Sequence, residues 1–122
     1  MNSNSMEMIA RQLPLVIESV TYTDPCLLIH GLGWHLRLLT AWRVLETGKF
    51  LMGSDEVDVP SLQSVLVGNM IVECRSQSST AGFDPALVFA TGHVLEVFSV
   101  SALEPWIFSI DGVGPFAASP SA

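Results

Sequence analysis

A chain of 122 residues with 49% hydrophobic and only 14% charged side chains is long enough for one core but short of polar surface to cover it. It predicts a single domain whose spare apolar surface meets a second copy or another protein. The net charge of −7, with five cations (Arg11, Arg37, Arg43, Lys49 and Arg75), excludes a nucleic-acid or anionic-membrane surface and leaves a basic protein as the complementary partner.

No apolar run reaches the roughly 18 residues of a membrane span. Met1–Arg11 lacks the basic-then-apolar pattern of a secretion signal. The expected location is the cytoplasm, with Cys26 and Cys74 as free thiols. Residues 1–12 read as a flexible N-terminus with at most one helical turn over Met6–Arg11, ahead of a β-rich domain over 13–110. Pro14 opens a strand over Leu15–Tyr22, in which Glu18 shares a face with Val16 and Val20. Asp24-Pro25 ends that strand, because proline has no amide hydrogen for a ladder. Cys26–His30 is the next strand, Gly31-Leu32-Gly33 the turn, and Trp34–Leu45 a long returning strand. Its alternation puts Leu36, Leu38, Trp42 and Val44 on one face and Arg37, Leu39, Arg43 and Leu45 on the other.

Residues 46–60 read as irregular and carry most of the local acid. Asp58 then caps a short helix with Pro60 in its first turn. Leu62, Val65 and Leu66 form its stripe, and Gly68 closes it. Met70–Arg75 is a strand with Met70, Val72 and Cys74 on one face, followed by a polar loop over Ser76–Gly82. A second hairpin spans residues 84–100 around Thr91-Gly92-His93. Ser101–Pro105 turns a corner, Trp106–Ile110 is the last strand, and 111–122 is a flexible tail.

The two hairpins read alike. Asp24-Pro25 matches Asp84-Pro85, Leu27-Leu28-Ile29 matches Leu87-Val88-Phe89, Leu36 matches Leu95 and Leu38 matches Val97. Each copy leads to a tryptophan, Trp42 or Trp106. The simplest account is a strand-plus-hairpin unit used twice, with the helix joining the halves. The expected fold is mainly β (α+β): a curled, largely antiparallel sheet or half-barrel of about six strands around Trp42, Phe89, Phe98, Trp106 and Phe108.

Leu62–Gly68, Thr91-Gly-His-Val-Leu-Glu-Val97 and Leu103-Glu-Pro-Trp106 resemble a family of small uncharacterised bacterial domains. These run strand, turn and helix, then a hairpin that closes on a Glu-x-Trp motif. Thr91-Gly92 stands where that family has Asp-Gly, and Leu103 where it has tyrosine. Some members are immunity-protein-like, so the resemblance implies a partner to a bacterial toxin.

No constellation carries catalysis, and no cofactor or metal site is assigned. His30 and His35 flank one turn and His93 sits in the other. Cys26 and His30 share a face but lie about 13 Å apart along a strand, too far to grip one ion. Glu73 and Glu96 stand inside predicted strands and read as solvated or as partners of arginines, with Glu96 and His93 the acid–base candidates of an enzymatic reading. Cys74 reads as a core residue. No Gly-x-Ser-x-Gly elbow occurs, and Gly31-Leu32-Gly33 is too short for a phosphate loop. Trp34, Leu39, Trp42, Phe98 and Trp106 are the candidate interface or pocket residues. The expected function is a non-catalytic protein-interaction domain that self-associates as a dimer and is immunity-like. The alternative is a small-molecule binder with a tryptophan-lined apolar pocket.

Overall fold

A computed structural model describes residues 3–77, 84–98 and 106–117. In chain order it has helix α1 (Ser3–Ala10), strands β1 (Leu15–Val16), β2 (Ser19–Thr23), β3 (Cys26–Gly31), β4 (Trp34–Leu38), β5 (Ala41–Glu46) and β6 (Lys49–Gly53), helix α2 (Val59–Leu66), then β7 (Met70–Ser76), β8 (Pro85–Phe89), β9 (Val94–Phe98), β10 (Trp106–Ile110) and β11 (Gly114–Ala117). The fold is mainly β and antiparallel, and neither sheet closes into a barrel. In place of one curled sheet of six strands there are two sheets, ordered β1-β7-β8-β9-β5-β6 and β11-β10-β4-β3-β2.

The second sheet exists because the chain changes sheets twice where the sequence reads as continuous strand. Trp34–Leu45 breaks at Leu39-Thr40: β4 stays beside β3, while β5 crosses to pair with β9. The Thr40 hydroxyl donates to the carbonyl of Phe98 and anchors the crossing. Leu15–Tyr22 breaks at Ile17-Glu18, where the Ile17 amide donates to the carbonyl of Asn69, just ahead of β7 in the first sheet, and the Glu18 amide to the carbonyl of His30 in the second. β10 likewise joins β4, so Trp106 faces Leu38 across one ladder as Trp42 faces Val97 across the other.

The alternation is clean in β3, β4, β5, β9 and β10. Leu27, Ile29, Leu36, Leu38, Trp106 and Phe108 point inward from the five-stranded sheet. Trp42, Val44, Ile71, Leu87, Leu95 and Val97 point inward from the six-stranded one. The two sets form one cluster, each side chain contributing about 1.5–3 kcal/mol by burial. Of the described glycines, Gly31 has the least room for a side chain. A Cβ there would stand 2.1 Å from the Val16 carbonyl oxygen and 2.4 Å from Trp34 Nε1. Its bare backbone lets Trp34 Nε1 donate to that carbonyl at 3.1 Å, stitching β4 to β1 of the other sheet.

α2 matches its sequence signals closely. Asp58 is the N-cap and accepts from the Ser61 amide at 3.2 Å, Pro60 sits in the first turn, and Leu62 and Leu66 are buried. Other segments differ from expectation. The presumed flexible N-terminus carries α1, whose Ile9 is fully buried and whose Met6 lies against Cys74. The tail carries β11, paired with β10. The presumed irregular 46–60 contains β6. A bulge at Val72 turns Ile71 and Cys74 inward and leaves Val72 exposed, against the expected Met70/Val72/Cys74 face. The two hairpins also differ in register by two residues: Leu27 opposes Leu38, but Leu87 opposes Leu95 rather than Val97. β3–β4 closes through Leu32-Gly33 alone, whereas Phe89–His93 separates the last pair of β8–β9. The Ser101–Pro105 corner, most of the Ser76–Gly82 loop and residues 118–122 lie outside the described residues.

Candidate functional site

The open β5–β6 end of the six-stranded sheet gathers exposed apolar side chains, an ion pair and several acidic residues. β5 sends Trp42 and Val44 into the core, so Ala41, Arg43 and Leu45 face out. Arg43 stands opposite Glu96, with Nε 2.5 Å from Oε1. Its guanidinium also lies over the Phe98 ring, 5.2 Å from the centroid. The cation is held by a carboxylate and an aromatic face together, which fixes the wall of the site.

β6 is tied to β5 by the turn Thr47-Gly48, both at positive φ (52° and 76°), as a two-residue hairpin of the right-handed twist requires. The register then slips: Leu45 opposes Phe50, but Val44 opposes Met52. Leu51 is the extra residue. The slip sends two successive apolar side chains outward, with Phe50 65% exposed. Beyond β6 the chain folds back. The Ser54 amide donates to the Trp42 carbonyl at 3.0 Å, and the Trp42 amide donates to Ser54 Oγ at 3.2 Å. That return brings Asp55 and Glu56 beside Phe50, Arg43 and Phe98 around a cleft of about 270 Å³. On the other flank of Phe50, a shallower depression of about 440 Å³ is bordered by Glu46, Thr47, Lys49 and Leu51.

Of the residues singled out by sequence, Trp42 and Phe98 border this cleft, although the Trp42 side chain is itself buried in the core. Trp34 and Trp106 do not: both are in the core, with Trp34 6.0 Å from Phe108 between ring centroids and Trp106 Nε1 3.4 Å from Asp84 Oδ1. Leu39 is 44% exposed at the sheet crossing. The Trp42 side chain is only 2% exposed, and its buried Nε1–H has no acceptor among the described residues. Sequence reasoning missed Phe50 and Leu51. The available signal was an apolar pair inside an acidic stretch, bracketed by Gly48 and Gly53.

The remaining chemical candidates are dispersed. Glu96 is engaged by Arg43, and Glu73 lies 3.9 Å from Arg75 on the same strand. His30 and His35 oppose each other on the outer face of the β3–β4 hairpin. His93 is part of a turn network: Asn69 Nδ2 donates to Thr91 Oγ1 at 2.8 Å, Thr91 Oγ1 is 2.7 Å from His93 Nδ1, and His93 Nε2 is 3.5 Å from Glu46. Burial, and then the charge of Glu73, push the Cys74 thiol up to about 12, so it stays protonated and non-nucleophilic. Among the described residues, no three or more His, Cys, Asp or Glu side chains gather as metal ligands, and no helix is long and apolar enough to cross a membrane.

No protein-family model, curated protein or solved structure matches this chain.

Proposed function

We propose that this is a non-catalytic protein-interaction domain acting in the cytoplasm, and that its contact surface is the open β5–β6 end of the six-stranded sheet. The observation that carries the reading is Phe50. A large aromatic side chain 65% exposed, next to exposed Leu51 and between two depressions, is a contact anchor in search of a cover. The shortage of charged residues supports the same conclusion. In one form of the reading the cover is a second copy, giving a dimer. In the other it is a basic partner, and the resemblance to immunity-like domains makes a bacterial toxin its sharpest version. The pocket alternative has less support, because Trp34, Trp42 and Trp106 are all consumed by the core.

The reading of the chain as one unit used twice belongs with this proposal. Its support is the exchange of β5–β6 and β10–β11 between the two three-strand meanders, which sets Trp42 and Trp106 at matching places in their ladders.

Light scattering on the wild type and on Phe50→Lys and Leu39→Lys, together with pulldown on immobilised protein, tests the function. A dimer or a captured partner that Phe50→Lys abolishes and Leu39→Lys spares supports it. A monomer that captures nothing, or association indifferent to Phe50→Lys, removes it.

A further inference from the structure

We infer that β6 receives an extended, cationic segment of another protein as an added strand, an inference that rests on β6 being the contact surface. Among the described strands β6 pairs only with β5, so one row of its backbone amides and carbonyls faces outward, except at its last residue, where the Gly53 carbonyl accepts from the Glu56 amide at 3.1 Å. The other sheet ends are poorer templates. β1 has two residues, β11 contains Pro115, and on β2 the Val20 carbonyl already accepts from Gln63 Nε2 of α2 at 2.9 Å. β6 has five residues and no proline.

Strand addition draws affinity from the backbone and specificity from depressions that take alternate side chains. β6 has such depressions on both flanks of Phe50, and each carries acid: Asp55 and Glu56 in one, Glu46 in the other. Charge decides between the two possible covers. Lys49 is the single cation of β6 and its flanking turns, and Arg43 is already held by Glu96. A second copy would therefore bring one lysine and three carboxylates against one lysine and three carboxylates, between molecules of net charge −7. A segment alternating apolar residues with Lys or Arg satisfies both the backbone and the acids, and its association rate gains from the field.

The probe is a fluorescent ten-residue peptide of alternating Val and Lys, measured by anisotropy against the full chain. Its controls are the same peptide N-methylated at alternate residues and a Val/Glu peptide. The expected result is saturable binding by Val/Lys, weaker by about tenfold or more with the N-methylated peptide or against Asp55→Lys/Glu56→Lys, and no binding by Val/Glu. Circular dichroism confirms that the variant is folded, and the N-methylated probe requires no variant. Equal binding of the N-methylated peptide overturns strand addition. Indifference to the acid reversal, or no binding at all, overturns the cationic occupant. If the peptide fails while light scattering shows a Phe50-dependent dimer, the contact surface stands and its cover is a second copy. If both fail, the contact surface falls as well.

Discussion

Arg43 and Glu96 face each other directly across the β5–β9 ladder, and the guanidinium that donates to Glu96 also covers Phe98. The Arg43 side chain is half exposed, so its ion pair is worth only about 0.2–1 kcal/mol and its contact with the ring a similar amount. Arg43→Ala is expected to cost about 1 kcal/mol in urea denaturation. A double-mutant cycle with Glu96→Ala should return a coupling below about 1 kcal/mol that shrinks in molar salt. A coupling several times larger would mean that the pair is shielded from solvent, contrary to the exposure observed.

The three tryptophans differ in how their indole N–H groups are met, and this orders two conservative substitutions. Trp34 donates to Val16, Trp106 lies at a long 3.4 Å from Asp84, and Trp42 has no acceptor among the described residues. An unmet buried donor costs about 1–3 kcal/mol. Trp42→Phe removes that penalty as well as packing, whereas Trp34→Phe orphans a carbonyl and loosens the stitch between the sheets. Trp34→Phe should therefore destabilise more than Trp42→Phe, by about 1–2 kcal/mol in matched thermal or urea melts. The reverse order would show that packing volume alone decides.

Local signals were legible in the sequence, while signals that depend on a change of sheet were not. Asp58, Pro60, Leu62, Leu66 and Gly68 act within one helix, so α2 could be read from them directly. The alternation of Leu27, Ile29, Leu36 and Leu38 fixed which faces are inward. The crossing at Leu39-Thr40 left no trace, because Leu36, Leu38, Trp42 and Val44 keep the same parity and point inward on both sides of it. The two bulges hid more. Val72 inverted the expected face of β7. Leu51 destroyed the alternation of β6, so the strand carrying the candidate site read as loop. For the site itself, the sequence offered Phe98, Trp42 and the acid of 46–60, but only the β5–β9 and β5–β6 pairings bring them together.

Thr47 holds a φ of +52°, a conformation that suits glycine or asparagine and strains a β-branched side chain. With Gly48 already at positive φ, Thr47→Asn completes the Asn-Gly pair that two-residue hairpins favour. The substitution should raise stability by about 1 kcal/mol, read as a higher urea midpoint with an unchanged slope. Thr47→Val keeps the branching and should give no gain.

Cys74 sets the behaviour of the fold in alkali. Its thiol is pushed up from 9.0 to about 12, first by burial among core side chains and then by the neighbouring charge of Glu73. The folded protein therefore keeps a proton that the unfolded chain releases near pH 9, and stability must fall as pH rises. The contribution is fully present below about pH 9 and is lost progressively towards pH 12, at about 1.4 kcal/mol per pH unit for the one proton involved. Urea midpoints at pH 8, 9.5 and 10.5 should fall more steeply for the wild type than for Cys74→Ala, which has no proton to release. The difference between the two removes every other titrating group from the comparison. The same burial predicts a kinetic result. At pH 8 a thiol-specific disulfide reagent should modify the half-buried Cys26 promptly and reach Cys74 only after denaturant is added. Prompt modification of both thiols in the native protein would contradict the placement of Cys74 in the core.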